Sequence, residues 1–329
     1  MIDIARFARS DLPATVGSAV ARVGGQFGAP SLGHVVWRGI RTVRRDMAPD
    51  IPKRRADAER FSKLLIQAPS SQFEQIDAGG VPAERLTFSD VEPVRMLFHL
   101  HGGGYVVGSP RTHRALVSRL ARRISADAVI PDYRLAPEHP FPAAVEDATA
   151  AYLSLLDEGV HPSRIVVSGD SAGGGLAASL LVNLRDKGHA LPGAAVLLSP
   201  WTDLTLSSPS LYDPEIADPM LHVEGASHAA AAYLADTPPD HPLPSPVFAD
   251  LTGLPPLLIH VGDSEILIDD AKRLARRADE AGVDVKLEVW RDQIHVFHAL
   301  GPFSPIARQA LDAIADFAER QVIVEPLPA

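Results

Sequence analysis

The spacing of apolar positions changes twice along this chain. Through residues 1–70 it is helical, with stripes at Ile4, Phe7 and Ala8, at Val16, Val20 and Val23, at Val36, Ile40 and Val43, and at Phe61, Leu64 and Leu65. Gly24-Gly25 and the stretch from Pro49 to Pro52 interrupt the pattern. The expectation is a helical extension that either packs as an arm or covers a site as a cap, because an apolar face has to dock somewhere. From Phe73 the texture differs. Phe73 to Ala78 and Pro82 to Ser89 flank Gly79-Gly80 and predict an antiparallel hairpin at a sheet edge. Short apolar runs follow at Val94 to Leu100, Ala128 to Tyr133, Arg164 to Ser168, Ala194 to Leu198, Leu257 to Val261 and Val285 to Val289. Helical stretches separate most of them: Arg111 to Arg123, Pro142 to Glu158, Ala172 to Lys187 and Leu267 to Ala281, with a last helix from about Pro305 to Arg320.

This alternation predicts an α/β fold with a mostly parallel central sheet flanked by helices. The one long departure, Asp203 to Thr252, is Pro-rich and helical only around Val223 to Ala235, and an insertion of that size is read as a cap. The expected division is residues 1–70 as extension or cap, 71–202 as the first part of the core, 203–252 as the cap insertion and 253–329 as the second part of the core.

Composition narrows the classes. A chain of 329 residues, 46% hydrophobic and 22% charged, has the make-up of a globular enzyme, and α/β folds of this length often form one domain. The formal charge of −10 argues against nucleic acid or an anionic membrane as partner. Without cysteine there is no disulfide, thiol nucleophile or thiolate metal site. The start, Met1 to Arg6, carries an early acid and no apolar core of a secretory signal, and no apolar run approaches the ~20 residues of a membrane span. A cytoplasmic protein with no stable membrane insertion is expected.

The chemistry centres on Gly169-Asp170-Ser171-Ala172-Gly173, a Gly-x-Ser-x-Gly turn between a buried strand and a small-residue helix. Ser171 at the apex is the candidate nucleophile, and the flanking glycines make room where neighbouring Cβ atoms would collide. The unpaired amide of Ala172 at the helix start favours developing negative charge. After the first long strand, His101-Gly102-Gly103-Gly104-Tyr105 puts three glycines at the carboxyl end, where α/β folds bind ligands. The run lacks the Lys-Ser/Thr of a phosphate-binding loop, so two of the Gly102, Gly103 and Gly104 amides are expected to join Ala172 in an oxyanion hole. His101 is read as bracing that loop.

A serine needs a base, and the base needs a group that holds its tautomer. His295 and His298 follow the strand Val285 to Trp290; His295 is favoured, since the loop is turning helical by His298, and His260 lies mid-strand as core. Gly262 to Asp270 holds four carboxylates, of which Glu265 and Asp263 are the near-loop choices for the acid. Asp269 and Asp270 fall a turn inside the helix. The order serine, acid, histidine is that of α/β hydrolases.

These residues resemble the hormone-sensitive-lipase-like, or bacterial family IV, esterases of the α/β-hydrolase fold. The resemblance spans about Leu86 to Arg320 and rests on His101 to Tyr105, on the stretch Asp132 to Ala144 (DYRLAPEHPFPAA), on Gly169 to Gly174, on Asp218-Pro219-Met220 and on His295-Val296-Phe297. It implies a carboxylic ester hydrolase without metal or organic cofactor, acting on short to medium acyl chains beneath an N-terminal helical cap. Where many members carry Asp-x-Leu-x-Asp, this chain has Glu265-Ile266-Leu267-Ile268-Asp269, similar to a subgroup with a Glu acid that includes lactone hydrolases. The acid role is therefore carried to Glu265. A substrate pocket is expected around Tyr105, Asp170, Trp201, Leu204 and Leu221, with core packing the alternative for Leu204 and Leu221. A lactone hydrolase with the same triad is the runner-up, an epoxide hydrolase would want a carboxylate in place of Ser171, and a non-catalytic small-molecule binder on this fold is the reading of another class. By analogy, apolar residues of the last strand and helix would pair two subunits as a homodimer.

Overall fold

The computed structural model describes residues 50–322; most of the expected N-terminal extension, residues 1–49, lies outside them. Among the described residues the chain runs α1 (Ile51–Ser62), β1 (Ser71–Ala78), β2 (Val81–Phe88), β3 (Arg95–Leu100), α2 (Pro110–Arg123), β4 (Ala126–Pro131), α3 (Ala143–Asp157), β5 (Ile165–Asp170), α4 (Ala172–Asp186), β6 (Ala194–Leu198), α5 (Val223–Leu234), β7 (Leu257–Gly262), α6 (Ile268–Glu280), β8 (Val285–Trp290) and α7 (Pro305–Gln321). The eight strands form one sheet in the order β1-β2-β4-β3-β5-β6-β7-β8. Only β2 runs against its neighbours β1 and β4; every other pairing is parallel.

The hairpin expected at Gly79-Gly80 lies at the sheet edge, with Ala78 opposite Val81. Both glycines adopt positive φ, +67° and +87°, which a two-residue hairpin turn demands. The continuous apolar runs become strands covered on both faces. In β5 and β6, Val167, Ala195 and Leu197 point into one cluster with α3, α4, α5 and α6, and Val166, Ala194, Val196 and Leu198 point into another with α2 and α7. Period-two alternation is what delivers neighbours to opposite faces.

Several strand ends shift by a residue or two from expectation, most clearly in β4 and β5. The run read as Ala128 to Tyr133 enters the ladder at Ala126, after a turn at Ser125 with φ +49°, and leaves it at Pro131. The run read as Arg164 to Ser168 continues as strand to Asp170, because Gly169 still pairs with Leu197 and Leu100. The ladder therefore reaches the residue before Ser171. Within the expected insertion, α5 is the only α-helix, and α1 has no fully buried residue, although Ile51 packs against the core.

Candidate active site

The carboxyl ends of β3, β5, β6, β7 and β8 lie side by side in that order, and each feeds a loop of the site. Ser171 follows β5 and caps α4 with φ 56° and ψ −123°, a strained conformation for a non-glycine residue. The turn is locked from several sides. The Ser171 amide donates to Leu198 O at 2.8 Å, and its carbonyl accepts from Trp201 N at 2.9 Å. A Cβ at Gly169 would lie 2.1 Å from Gly173 O, and one at Gly173 only 2.0 Å from Leu100 O, so both flanking positions must be glycine. Ser171 itself stays partly exposed.

The glycine loop divides its labour. The Gly102 amide, one of three proposed oxyanion donors, is already engaged, 3.1 Å from Asp170 Oδ1 and 3.2 Å from His113 Nε2. The Gly103 and Gly104 amides have no hydrogen-bond acceptor among the described residues, nor does that of Ala172. Those three are the free donors. Gly103 and Gly104 have φ of +122° and +63°. His101 is buried against Tyr133, ring centroids 4.2 Å apart, and its Nδ1 lies 2.9 Å from Gly102 O. Burial and the neighbouring His113 charge push its pKa down to about 3, so it is neutral and bracing.

Asp170 anchors a buried polar cluster that sequence reasoning did not assemble. His99 Nε2 is 3.2 Å from Asp170 Oδ1 and its Nδ1 is 2.7 Å from Ser168 Oγ; His113 Nε2 is 3.4 Å from Asp170 Oδ1. Burial opposes the Asp170 charge, but His113 and His99 outweigh it and hold the carboxyl well below its usual range. Burial likewise opposes charge on His113, and Asp170 outweighs it and raises its pKa. His99 goes the other way: burial lowers it further than Asp170 lifts it. With a neutral ring, Nε2–H donates to the carboxylate and Nδ1 accepts from Ser168.

The two near-loop carboxylates reach different partners. Glu265, fully buried, sets Oε2 2.5 Å from His295 Nδ1, while Oε1 accepts from Gly262 N and from Ser199 Oγ, each at 2.7 Å. Asp263 turns away and accepts from Asp292 N at 2.7 Å. Burial alone would depress His295, yet the Glu265 charge and hydrogen bond, with Asp218 and Asp170 further off, leave its pKa raised. His298 sits in a 3-10 turn with Nε2 3.1 Å from His260 Nδ1, both buried and apart from Glu265. Asp218, from the motif that supported the resemblance, accepts from Met220 N, Leu221 N and, at 3.0 Å, Ile266 N. It thereby ties the insertion to the residue after Glu265.

The expected pocket residues are mostly packed inside. Tyr105, expected as pocket wall, is 1% exposed and stacked on Tyr233 of α5 at 3.7 Å, because the tight Gly103–Val107 turn directs its ring inward toward Trp201. Trp201 and Leu204 are buried and Leu221 half-buried in the same cluster. A cavity of 620 Å³ lined by Arg119, Arg122, Arg123 and Arg308 lies between α2 and α7, away from Ser171. Among the described residues no three His, Asp or Glu side chains gather as a metal-ligand group, and no helix is long and apolar enough to cross a membrane.

An eight-stranded, mostly parallel sheet carrying a glycine-flanked serine at a strand end and a buried Glu–His pair two strands on defines an α/β hydrolase, and residues 97–299 match a family described as alpha/beta hydrolase fold. The chain is 47% identical over 223 residues, 68% of its length and 75% of the relative's, to an acetyl-hydrolase of Streptomyces hygroscopicus. It superposes on a crystal structure of an esterase from the bacterial hormone-sensitive lipase family with a TM-score of 0.85 and 43% identity, covering 90% of this chain and 99% of that one. A second similar structure, of EstE5 soaked by p-nitrophenyl butyrate, is 42% identical with a TM-score of 0.80 and covers 87% of this chain and 98% of that one. The chain belongs to the hormone-sensitive-lipase-like esterases and is a serine carboxylesterase.

Proposed function

We propose that the protein hydrolyses short-chain carboxylic esters through Ser171, His295 and Glu265. Ser171 Oγ attacks the ester carbonyl while His295 accepts its proton, and the resulting oxyanion takes hydrogen bonds from the Gly103, Gly104 and Ala172 amides. Collapse of the tetrahedral centre breaks the bond to the alkoxide, which leaves with the proton from His295, and an acyl-serine remains. Water then repeats the two steps and frees the acid. The observation that carries this reading is the 2.5 Å contact between buried Glu265 and His295, in loops of adjacent strands of the sheet whose β5 ends at the strained Ser171. Preference for short acyl groups draws on the names of the relatives, an acetyl-hydrolase and EstE5 soaked by p-nitrophenyl butyrate. Tyr105, Trp201 and Leu204 pack with Tyr233 of α5 in the buried core cluster, which is in keeping with a short acyl group.

The test is hydrolysis of p-nitrophenyl esters from acetate to laurate by the wild type and Ser171→Ala. Highest activity on acetate or butyrate, lost in Ser171→Ala, is the expected result; activity confined to lactones moves the substrate and keeps the machinery. A homodimer through β8, the last strand of the sheet among the described residues, where Val289 is exposed, belongs to the same reading, and a monomer in light scattering at micromolar concentration overturns it.

A further inference from the structure

The helix α1 reaches the glycine loop through the side chain of Arg55. The glycine loop closes on itself where Gly103 O accepts from Val106 N at 3.2 Å and Val107 N at 3.0 Å. Immediately beyond, Val106 O accepts from Arg55 Nε at 2.8 Å. The same guanidinium donates from Nη2 to Ala136 O at 2.8 Å, and Ala136 N in turn donates to Tyr105 O at 2.9 Å. Glu138 holds the fork in place, with Nη1 and Nη2 at 2.9 and 2.8 Å from its two oxygens. One half-buried cation thus joins the glycine loop to the loop after β4, and among the described residues no other side chain donates to either carbonyl. Glu59, one turn along α1, adds a second anchor by accepting from Ser109 Oγ, at the cap of α2, and by pairing with Arg111.

We propose that Arg55 is a positioning residue for the oxyanion-hole loop, so that α1 sets the rate of ester hydrolysis and not only the stability of the fold. The physical ground is that Gly103 and Gly104 have no side chains to pack and depend on the Gly103–Val107 turn for their position, so what holds that turn holds their amides. Glycine carries the largest conformational freedom of any residue, and donors stabilise a transition state only if they are already in place when charge develops. On one side Asp170 fixes the loop through Gly102 N; on the other Arg55 fixes it through Val106 O, two residues past Gly104. A planar fork with five donors can hold two carbonyls and a carboxylate at once, which a lysine cannot. The inference rests on the oxyanion role assigned to Gly103 and Gly104.

The experiment compares wild type, R55A, R55K and E138Q in steady-state hydrolysis of p-nitrophenyl butyrate and in inhibition by an alkyl trifluoromethyl ketone, whose serine adduct presents an oxyanion. R55A should lose about 10- to 100-fold in kcat with KM changed less than about threefold, the scale expected when a reacting geometry slips by about an ångström. Affinity for the ketone should fall by the same factor. R55K should lie between R55A and wild type, and E138Q should stay closest to wild type because both backbone carbonyls keep their donor. A folded R55A with kcat and ketone affinity within twofold of wild type overturns the inference. If R55A does not fold, R55K decides, and wild-type kcat in R55K with a lowered Tm overturns it equally. A wild type that binds the trifluoromethyl ketone no better than the matching methyl ketone would instead sink the oxyanion reading beneath it.

Discussion

The hydroxyl of Ser199 donates to Glu265 Oε1 at 2.7 Å and accepts from the Val296 amide at 3.1 Å. One buried side chain at the end of β6 therefore holds both the carboxylate and the loop of His295. Ser199 adopts φ +48° with its amide on His260 O at 2.7 Å, so the hydroxyl is aimed by a fixed backbone. Replacing it with alanine leaves a carboxylate oxygen and an amide short of a partner. Ser199→Ala should lower kcat about tenfold at little change in KM, and reduce unfolding free energy by about 1–3 kcal/mol in urea titration.

Glu265→Gln should lower kcat by about 10³–10⁴, since the amide keeps the shape and loses the charge that stabilises the imidazolium. Asp263→Asn should leave kcat within about twofold, because its carboxylate faces Asp292 N. Initial rates on one ester, with both variants checked by thermal melting, decide between the two carboxylates.

The pH profile follows from His295. Burial disfavours its charged form, but Glu265 outweighs burial and raises the pKa above 6.5. The base works when neutral, so kcat/KM should rise with pH through that elevated value, and in Glu265→Gln the limb should move to lower pH, where burial dominates. A raised folded pKa gives stability that is complete below the unfolded value and lost as pH rises through the folded one. This contribution to stability and the activity should thus change in opposite directions across the same window; rate and melting profiles from pH 5 to 9 test it.

Gly103→Ala tests the loop directly. A Cβ there would lie 2.1 Å from Val107 O, at a φ of +122° that alanine rarely adopts. Shifting the loop to admit it withdraws oxyanion donors, so kcat should fall by about 10²-fold or more with the protein still folded by circular dichroism.

Asp170→Asn retains an acceptor for Gly102 N and removes the charge that holds His113 and His99. Chemical denaturation should show a loss of about 1–3 kcal/mol, smaller than for deleting a buried partner outright because the amide still hydrogen-bonds. The kcat should fall about tenfold as the glycine loop loosens.

Much of this protein is written locally. The two-residue hairpin needs only Gly79-Gly80, the parallel strands need only continuous apolar runs, and the strained turn needs only Gly169 and Gly173 around Ser171, so each was legible from neighbouring residues. The position of His295 after β8 was legible too, because it follows from strand order. What the residues left open was which carboxylate meets it. Glu265 and Asp263 stand two apart in one loop, and their directions are set by other strands: Trp290 O takes the Asp263 amide at 3.1 Å and Gln293 O the Ser264 amide at 3.1 Å, which leaves Glu265 pointing inward. Similarly, Gly102 could not be told from Gly103 and Gly104 by pattern, since Asp170 reaches it from 68 positions away, and Arg55 meets Glu138 across 83. Local sequence fixes backbone conformation through propensity and periodicity; a side chain's partner across such distances is chosen only when the folded sheet brings the loops together, and tertiary packing alone decides it.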